Sequence, residues 1–317
     1  MRVVILLSLS MLMALFACKS DKKELPIAPE DIKIDVEMGG LVTTDKVLLN
    51  FKKAGAGEEV IIVPNGTYLL EDFKELERDF TFIYYDMRNR GRSQSINIPE
   101  KLSGGIMQDV EDLEAVRQHF QLEKVNLLGH SYLGLMVALY AQKYPDRVNK
   151  IIQIGAMQPF PNEQFAAYSD STNIQVQEEL AALEERKATL STREYCEQWW
   201  DSMRKVYAVD PESLQALSNR ICQYPNEHPE KMTAHFEKYI LPSIQNLTLT
   251  KEDYKVVKAP VMIIQGDKDR VVSVDAARAW KAILPNTKLE IIENAGHMPW
   301  VEREGKVFEV IRNFMNG

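Results

Sequence analysis

The chain has 317 residues, 45% hydrophobic, 26% charged and 9% aromatic, a balance that supports a buried core and excludes disordered, collagenous and low-complexity classes. Its 38 basic side chains against 46 acidic ones give a formal net charge of −8, which repels phosphate backbones and argues against non-specific nucleic-acid binding. Three cysteines are too few for a disulfide scaffold and no Cys/His spacing fits a zinc site, so no metal is expected. The length suits one α/β domain carrying an insertion as well as it suits two domains.

At the N-terminus, Arg2 followed by the apolar run 3–17 has the layout of a secretory leader, too short and too weakly flanked for a spanning helix. Leu15-Phe16-Ala17-Cys18 resembles the lipobox of bacterial lipoproteins, in which a small residue precedes the cut and the cysteine thiol takes diacylglycerol. Phe16 is bulkier than that pattern usually shows. The resemblance implies a signal peptide over 1–17, a lipid on Cys18, a polar tether over 18–30 and a location in the cell envelope, anchored to a bacterial membrane. An ordinary signal peptide cut nearby and a retained anchor are the alternatives.

Further along, apolar runs of strand length alternate with helix-period stretches, the pattern of a mostly parallel sheet with helices on both faces. Strands are predicted at 47–51, 60–63, 80–85, 125–128, 151–154, 261–265 and 289–292, and helices at 70–77, 105–120, 132–143, 274–283 and 307–315. Gly55-Ala56-Gly57 would allow the first two strands to form an antiparallel hairpin. From 157 to 250 the β-branched runs give way to helix formers such as 176–187 and 193–206, a stretch too long for a loop. The expected organisation is an α/β core over 31–156 and 251–317, interrupted by a helical cap over 157–250 that forms a small domain of its own.

Chemistry concentrates at three points. Gly129-His130-Ser131 leaves the apolar strand 125–128 and opens a helix, so Ser131 stands on a tight strand-to-helix turn beside helix N–H groups. Gly266-Asp267-Lys268-Asp269 follows the strand 261–265, and Asn294-Ala295-Gly296-His297 follows the strand 289–292, which sets an acid and an imidazole on adjacent strand ends. Among five histidines only His297 stands on a short glycine loop at a strand end. A serine activated by a histidine that a carboxylate orients performs acyl transfer. The structural alternatives are a serine that caps a helix, an aspartate that closes its own turn and a packing histidine.

Gly129-His130-Ser131-Tyr132-Leu133-Gly134 resembles the nucleophile elbow of the α/β-hydrolase superfamily, with Leu133 where a glycine is usual, and the resemblance covers almost the whole chain. Gly266 to Val272 resembles the G-x-x-D-x-x-V loop of capped members, which selects Asp269 over Asp267, and Ala295-Gly296-His297 resembles the turn that carries the base. The resemblance implies an α/β-hydrolase fold, catalytic Ser131, Asp269 and His297, and no cofactor. Pro64-Asn65-Gly66-Thr67-Tyr68 stands where the family carries His-Gly, which implies an oxyanion hole built from the N–H groups of Thr67 and Tyr132. Tyr85-Asp86-Met87-Arg88-Asn89-Arg90-Gly91-Arg92-Ser93 resembles the D-x-R-G-x-G-x-S loop of prolyl aminopeptidases, a structural loop whose arginines are not phosphate ligands.

In the predicted cap, acidic side chains outnumber basic ones and stand among Tyr195, Trp199, Trp200, Tyr207 and Tyr224. Carboxylates against an aromatic wall suit a free ammonium group, although a solvated acidic helix face has the same composition. With the loop at 86–93, this selects an aminopeptidase acting on a small amine-bearing or short peptide substrate. A carboxylesterase of small esters and a non-catalytic tethered ligand-binding protein are the alternatives. Cys196 and Cys222 both fall in the cap, where a bridge and two free buried thiols fit equally.

Overall fold

Eight strands form one sheet in the computed structural model, which describes residues 35–160, 163, 165–224 and 226–317. The leader over 1–17, the lipid site Cys18 and the tether over 18–30 lie outside the described residues. The strands are β1 (Asp35–Val42), β2 (Leu48–Gly55), β3 (Val60–Pro64), β4 (Thr81–Tyr85), β5 (Val125–His130), β6 (Val148–Ile154), β7 (Val261–Gly266) and β8 (Thr287–Ile292). Their order is β1-β2-β4-β3-β5-β6-β7-β8, antiparallel at β1–β2 and β2–β4 and parallel elsewhere. Strands β4 and β7 are buried along their whole length, as central strands covered by helices on both faces must be.

The expected hairpin does not form, because β2 pairs with β1 and β4, while β3 lies between β4 and β5. Gly55 and Gly57 serve close approach instead. A Cβ on Gly55 would stand 2.2 Å from the Phe80 carbonyl oxygen, and one on Gly57 2.0 Å from that of Asp79. Strand β1 has no counterpart among the predicted strands. It is an edge strand with most of its side chains in solvent, so burial leaves little pattern in its sequence.

The helices are α1 (Gly66–Leu69), α2 (Ile106–His119), α3 (Tyr132–Lys143), α4 (Ser171–Glu185), α5 (Thr192–Tyr207), α6 (Gln215–Ile221), α7 (Pro229–His235), α8 (Leu241–Gln245), α9 (Val274–Ile283), α10 (Pro299–Glu302) and α11 (Glu304–Asn316). The predicted helix at 70–77 is replaced by α1 and a 3-10 turn at Lys74–Arg78. One core layer packs α2, α3 and α9 against the sheet, and the other packs Leu69, Phe73 and α11 on the opposite face.

Helices α4 to α8 fill the chain between β6 and β7, and the residues from Asp35 onward belong to one compact unit. The segment is tied down at several points. Asp170, which caps α4, pairs with Arg270 at 2.7 Å, and Glu227 pairs with Arg90 at 2.7 Å. A disulfide joins Cys196 on α5 to Cys222 at the end of α6. Among the described residues no helix is long and apolar enough to cross a membrane.

Candidate active site

The parallel strands β3 and β5 lie side by side, but the chain reaches β5 only after passing through β4 on the far side of β3. Open α/β sheets bind ligands outside the carboxyl ends of strands where the order reverses in this way. The turn that carries Ser131 leaves the carboxyl end of β5. Ser131 has φ 60° and ψ −129°, a conformation that strains a residue bearing a Cβ. Its N–H donates to the Ile154 carbonyl at 3.1 Å, and its own carbonyl accepts from Gly134 at 2.9 Å and Met157 at 3.0 Å.

The departure at Leu133 has a structural answer. Leu133 is buried in the core, while Gly134 faces the end of β6, where an added Cβ would stand 2.4 Å from that of Ala156. Gly134 therefore provides the close helix-to-strand approach. Gly129 keeps its requirement too, since a Cβ there would meet the Leu133 carbonyl oxygen at 2.3 Å.

His297 and Asp269 meet as buried neighbours, with His297 Nδ1 2.8 Å from Asp269 Oδ2. A carboxylate only accepts, so Nδ1 carries the proton and Nε2 is left as the basic nitrogen. Asp269 Oδ1 accepts from the N–H groups of Val271 and Val272, both at 2.8 Å, and Oδ2 also accepts from Gln265 Nε2 at 3.0 Å. Asp267 faces elsewhere: its Oδ1 accepts from the Ala295 N–H at 3.3 Å. The His297 N–H donates to the Tyr207 carbonyl at 2.7 Å, so α5 of the insertion helps hold the histidine loop.

The residue before Ser131 packs on this pair. The His130 ring lies 4.5 Å from the His297 ring, and its Nε2 is 3.0 Å from the His297 carbonyl oxygen. That contact places the His130 proton on Nε2, and burial together with the adjacent His297 holds its imidazole well below the usual range. Gly155 completes the corner at φ +51°; a Cβ there would stand 3.0 Å from His297 Nδ1 and 3.3 Å from Asp269 Oδ2.

The oxyanion assignment needs a correction at Thr67. Its N–H donates to Asp86 Oδ1 at 3.1 Å, and its hydroxyl donates to the same oxygen at 2.6 Å. The first turn of α1 has donors without helical partners, and the buried Asp86 carboxylate captures this one. The Arg92 N–H and Asn50 Nδ2 donate to Asp86 Oδ2, yet burial still raises its pKa above the usual carboxylate range. Tyr132 is the first residue of α3, so its N–H lacks a partner within the helix. Asn65 adopts a left-handed conformation at φ 61°, which asparagine tolerates better than most side chains.

Each arginine of the loop at 86–93 has its own partner. Arg88 binds Asp112 and Asp45, Arg90 binds Glu227, and Arg92 stacks on Tyr224 with 4.7 Å to the ring centre. An aromatic wall runs from His297 to Tyr207 at 5.5 Å, to Trp200 at 6.1 Å and on to Tyr68 at 5.5 Å. Of the acidic residues of the insertion only Glu227 is buried, and its charge is taken by Arg90; the others face solvent wholly or in part.

Gly155 and Gln265 are absent from the sequence-based candidates, and Tyr207 and Glu227 enter there only through the aromatic and acidic composition of the predicted cap. Gln265 carries a readable signal, a polar residue closing the otherwise apolar run 261–265. Tyr207 acts through a backbone carbonyl, which no side-chain pattern reveals. Among the described residues, no group of His, Cys, Asp and Glu could hold a metal ion.

A family model described as the alpha/beta hydrolase fold matches residues 67–304. A proline iminopeptidase of Heyndrickxia coagulans is 24% identical over 301 residues, covering 89% of this chain and 97% of the relative. Two solved structures share the fold. A serine hydrolase from Cycloclasticus zankles superposes with a TM-score of 0.69 at 15% identity, covering 89% of this chain and 99% of the other. An esterase from Exiguobacterium antarcticum gives 0.68 at 16% identity, covering 89% and 100%. With the family model spanning well over half of its length, and the strand order and elbow described above, the chain belongs to the alpha/beta hydrolase fold family and is a hydrolase.

Proposed function

We propose that the protein is a serine hydrolase in which Ser131 attacks a carbonyl, His297 takes the hydroxyl proton and delivers it to the leaving group, and Asp269 fixes the imidazole tautomer. The observation that carries this reading is the buried 2.8 Å contact of His297 Nδ1 with Asp269, set beside the strained Ser131 turn by the Ile154-Gly155 corner. The N–H of Tyr132 is the donor this reading assigns to the oxyanion of the tetrahedral intermediate. Asp269 is held opposite the imidazole by two backbone N–H groups and Gln265.

For the bond cleaved, our reading is an aminopeptidase that releases an N-terminal residue from short peptides. Its support is the likeness to a proline iminopeptidase and the loop at 86–93. A carboxylesterase is the second reading, favoured by the solvent-facing or paired carboxylates of the insertion, which leave little free charge for an ammonium group. The segment 157–250 acts in this reading as a cap that selects substrate. We also read the protein as a lipid-anchored envelope enzyme, on the leader and Cys18. The disulfide between Cys196 and Cys222 supports an oxidising compartment.

A fluorophosphonate probe tests the chemistry: it labels the wild-type chain and leaves Ser131→Ala unlabelled. Failure to label wild type under conditions that label a control serine hydrolase would favour a ligand-binding protein. Turnover of a prolyl arylamide with a free amine, but not of its N-acetyl form, supports the aminopeptidase; activity on aryl esters alone supports the esterase. Cys18→Ala tests the anchor by abolishing palmitate incorporation, and unchanged membrane partition would refute it.

A further inference from the structure

Three consecutive N–H groups of the loop that carries His297 are held by two acceptors. Those of His297 and Met298 donate to the Tyr207 carbonyl at 2.7 and 3.2 Å. The Gly296 N–H donates to Glu302 Oε2 at 2.7 Å, while Oε1 of the same carboxylate accepts from the N–H groups of Val209 at 2.8 Å and Asp210 at 3.0 Å. Glu302 therefore bridges the histidine loop to the turn that follows α5. The two segments touch closely, since a Cβ on Gly296 would stand 2.6 Å from the Tyr207 carbonyl oxygen and 3.0 Å from Ala208 Cα.

The bridging carboxylate has a firm base. Glu302 ends α10, whose Trp300 is buried, packs 4.7 Å from the His130 ring and donates Nε1–H to Asp72 at 3.0 Å. Glu302 is half-buried and forms no ion pair among the described residues, so both oxygens are taken up by backbone N–H groups of two separate segments. The acid loop grips the same end of α5 from its other side. Arg270, next to Asp269, donates from Nη1 to the Ala208 carbonyl at 3.0 Å and the Lys205 carbonyl at 3.3 Å. Residues 205–210 thus stand between the loops whose side chains form the Asp269–His297 contact.

We propose that Glu302 is a positioning residue for the hydrolytic reaction. It seats the His297 loop against the turn at 207–210 and so makes the end of α5 part of the machinery that aims the imidazole at Ser131. The proposal rests on the acyl-transfer reading and deepens it. Glu302 acts through the Gly296 backbone rather than on the substrate. Without the bridge the loop loses one of its two acceptors, and a misplacement of the base by about 1 Å is enough to slow catalysis about a hundredfold.

The test compares Glu302→Ala and Glu302→Gln with wild type on an activated aryl ester, with kcat expressed per folded molecule from circular dichroism. Glu302→Ala is expected to lose about a hundredfold in kcat with KM within about twofold of wild type, the pattern of an interaction that matters in the transition state. Glutamine keeps the volume, but its Nε2 only donates and cannot serve one of the two segments, so kcat should fall by about tenfold, the scale of one hydrogen bond to a charged group. A kcat per folded molecule within about threefold of wild type in Glu302→Ala overturns the proposal and leaves Glu302 a purely structural role. A raised KM at unchanged kcat also overturns it, reassigning the residue to substrate binding. The Nδ1–H proton resonance of His297, identified by its loss in His297→Gln, reads the contact with Asp269 without turnover and should shift or broaden in Glu302→Ala. A chain labelled by fluorophosphonate whose Glu302 variants keep wild-type kcat and resonance defeats this proposal alone, and an unlabelled chain whose His297 resonance still depends on Glu302 defeats the hydrolase reading alone.

Discussion

Glu227→Gln isolates the contact that holds the insertion to the loop at 86–93. The Glu227 side chain is fully buried; Oε1 accepts from Arg90 Nε at 2.9 Å and the Gly91 N–H at 2.7 Å, and Oε2 accepts from Arg90 Nη2 at 2.7 Å. Glutamine preserves volume but removes the charge opposite a guanidinium that is itself only 10% exposed. Breaking a buried pair from one side costs about 3–5 kcal/mol, because the remaining charge stays desolvated and uncompensated. At about 2 °C per kcal/mol for a chain of this size, the melting temperature should fall by about 6–10 °C. Removing both charges with Arg90→Met and Glu227→Leu should cost less than the sum of the two single changes, by a coupling of about 1–3 kcal/mol. Thermal and urea melts of the four proteins complete the cycle. A Glu227→Gln variant melting within about 2 °C of wild type, or strict additivity in the double variant, would refute the assignment of a stabilising buried pair.

Gly155→Ala places a methyl 3.0 Å from His297 Nδ1 in a left-handed backbone; strain of about 1–2 kcal/mol and a displaced imidazole should cut turnover by about a hundredfold, and wild-type kinetics would show that the corner does not position the pair. Asp269→Asn should lower kcat on an activated ester by about three to four orders of magnitude, while Asp267→Asn stays within about threefold of wild type; the reverse pattern would make Asp267 the acid. Burial, then the neighbouring Arg90, pushes the His235 imidazole down to about 4. Its unfolded form takes up a proton first as pH falls, near about 6.5, so stability should drop between that pH and about 4. The fall in urea midpoint from pH 7 to pH 5 should be smaller in His235→Gln; an identical fall would show that His235 does not contribute. Thiol counting on denatured, unreduced Cys18→Ala protein should find no free thiol, and two would contradict the bridge between Cys196 and Cys222.

Local periodicity makes much of this fold legible. Helix α3 and helix α9 begin and end where their sequence patterns place them, and the strands of the parallel sheet coincide with apolar runs, because burial on both faces writes itself into contiguous residues. The Ser131, Asp269 and His297 positions are also legible, since each stands on a glycine-bearing turn directly after a strand. Pairing partners are not. The same Gly55-Ala56-Gly57 that suits a hairpin instead admits the backbone of 79–81, and only the assembled sheet distinguishes the two.

The tertiary structure likewise decides which donor is free and which charge is spent. Thr67 stands where its family pattern implies an oxyanion donor, yet Asp86, distant in sequence, has taken its N–H. The acidic composition of the insertion suits an ammonium ligand, yet its one buried carboxylate faces Arg90 from across the molecule. Sequence fixes the backbone preferences of neighbouring residues, because those depend on a few torsions and the side chains three or four positions away. The partner of a buried polar group depends on which distant segments packing brings within about 3 Å, and that is settled only when the whole core closes.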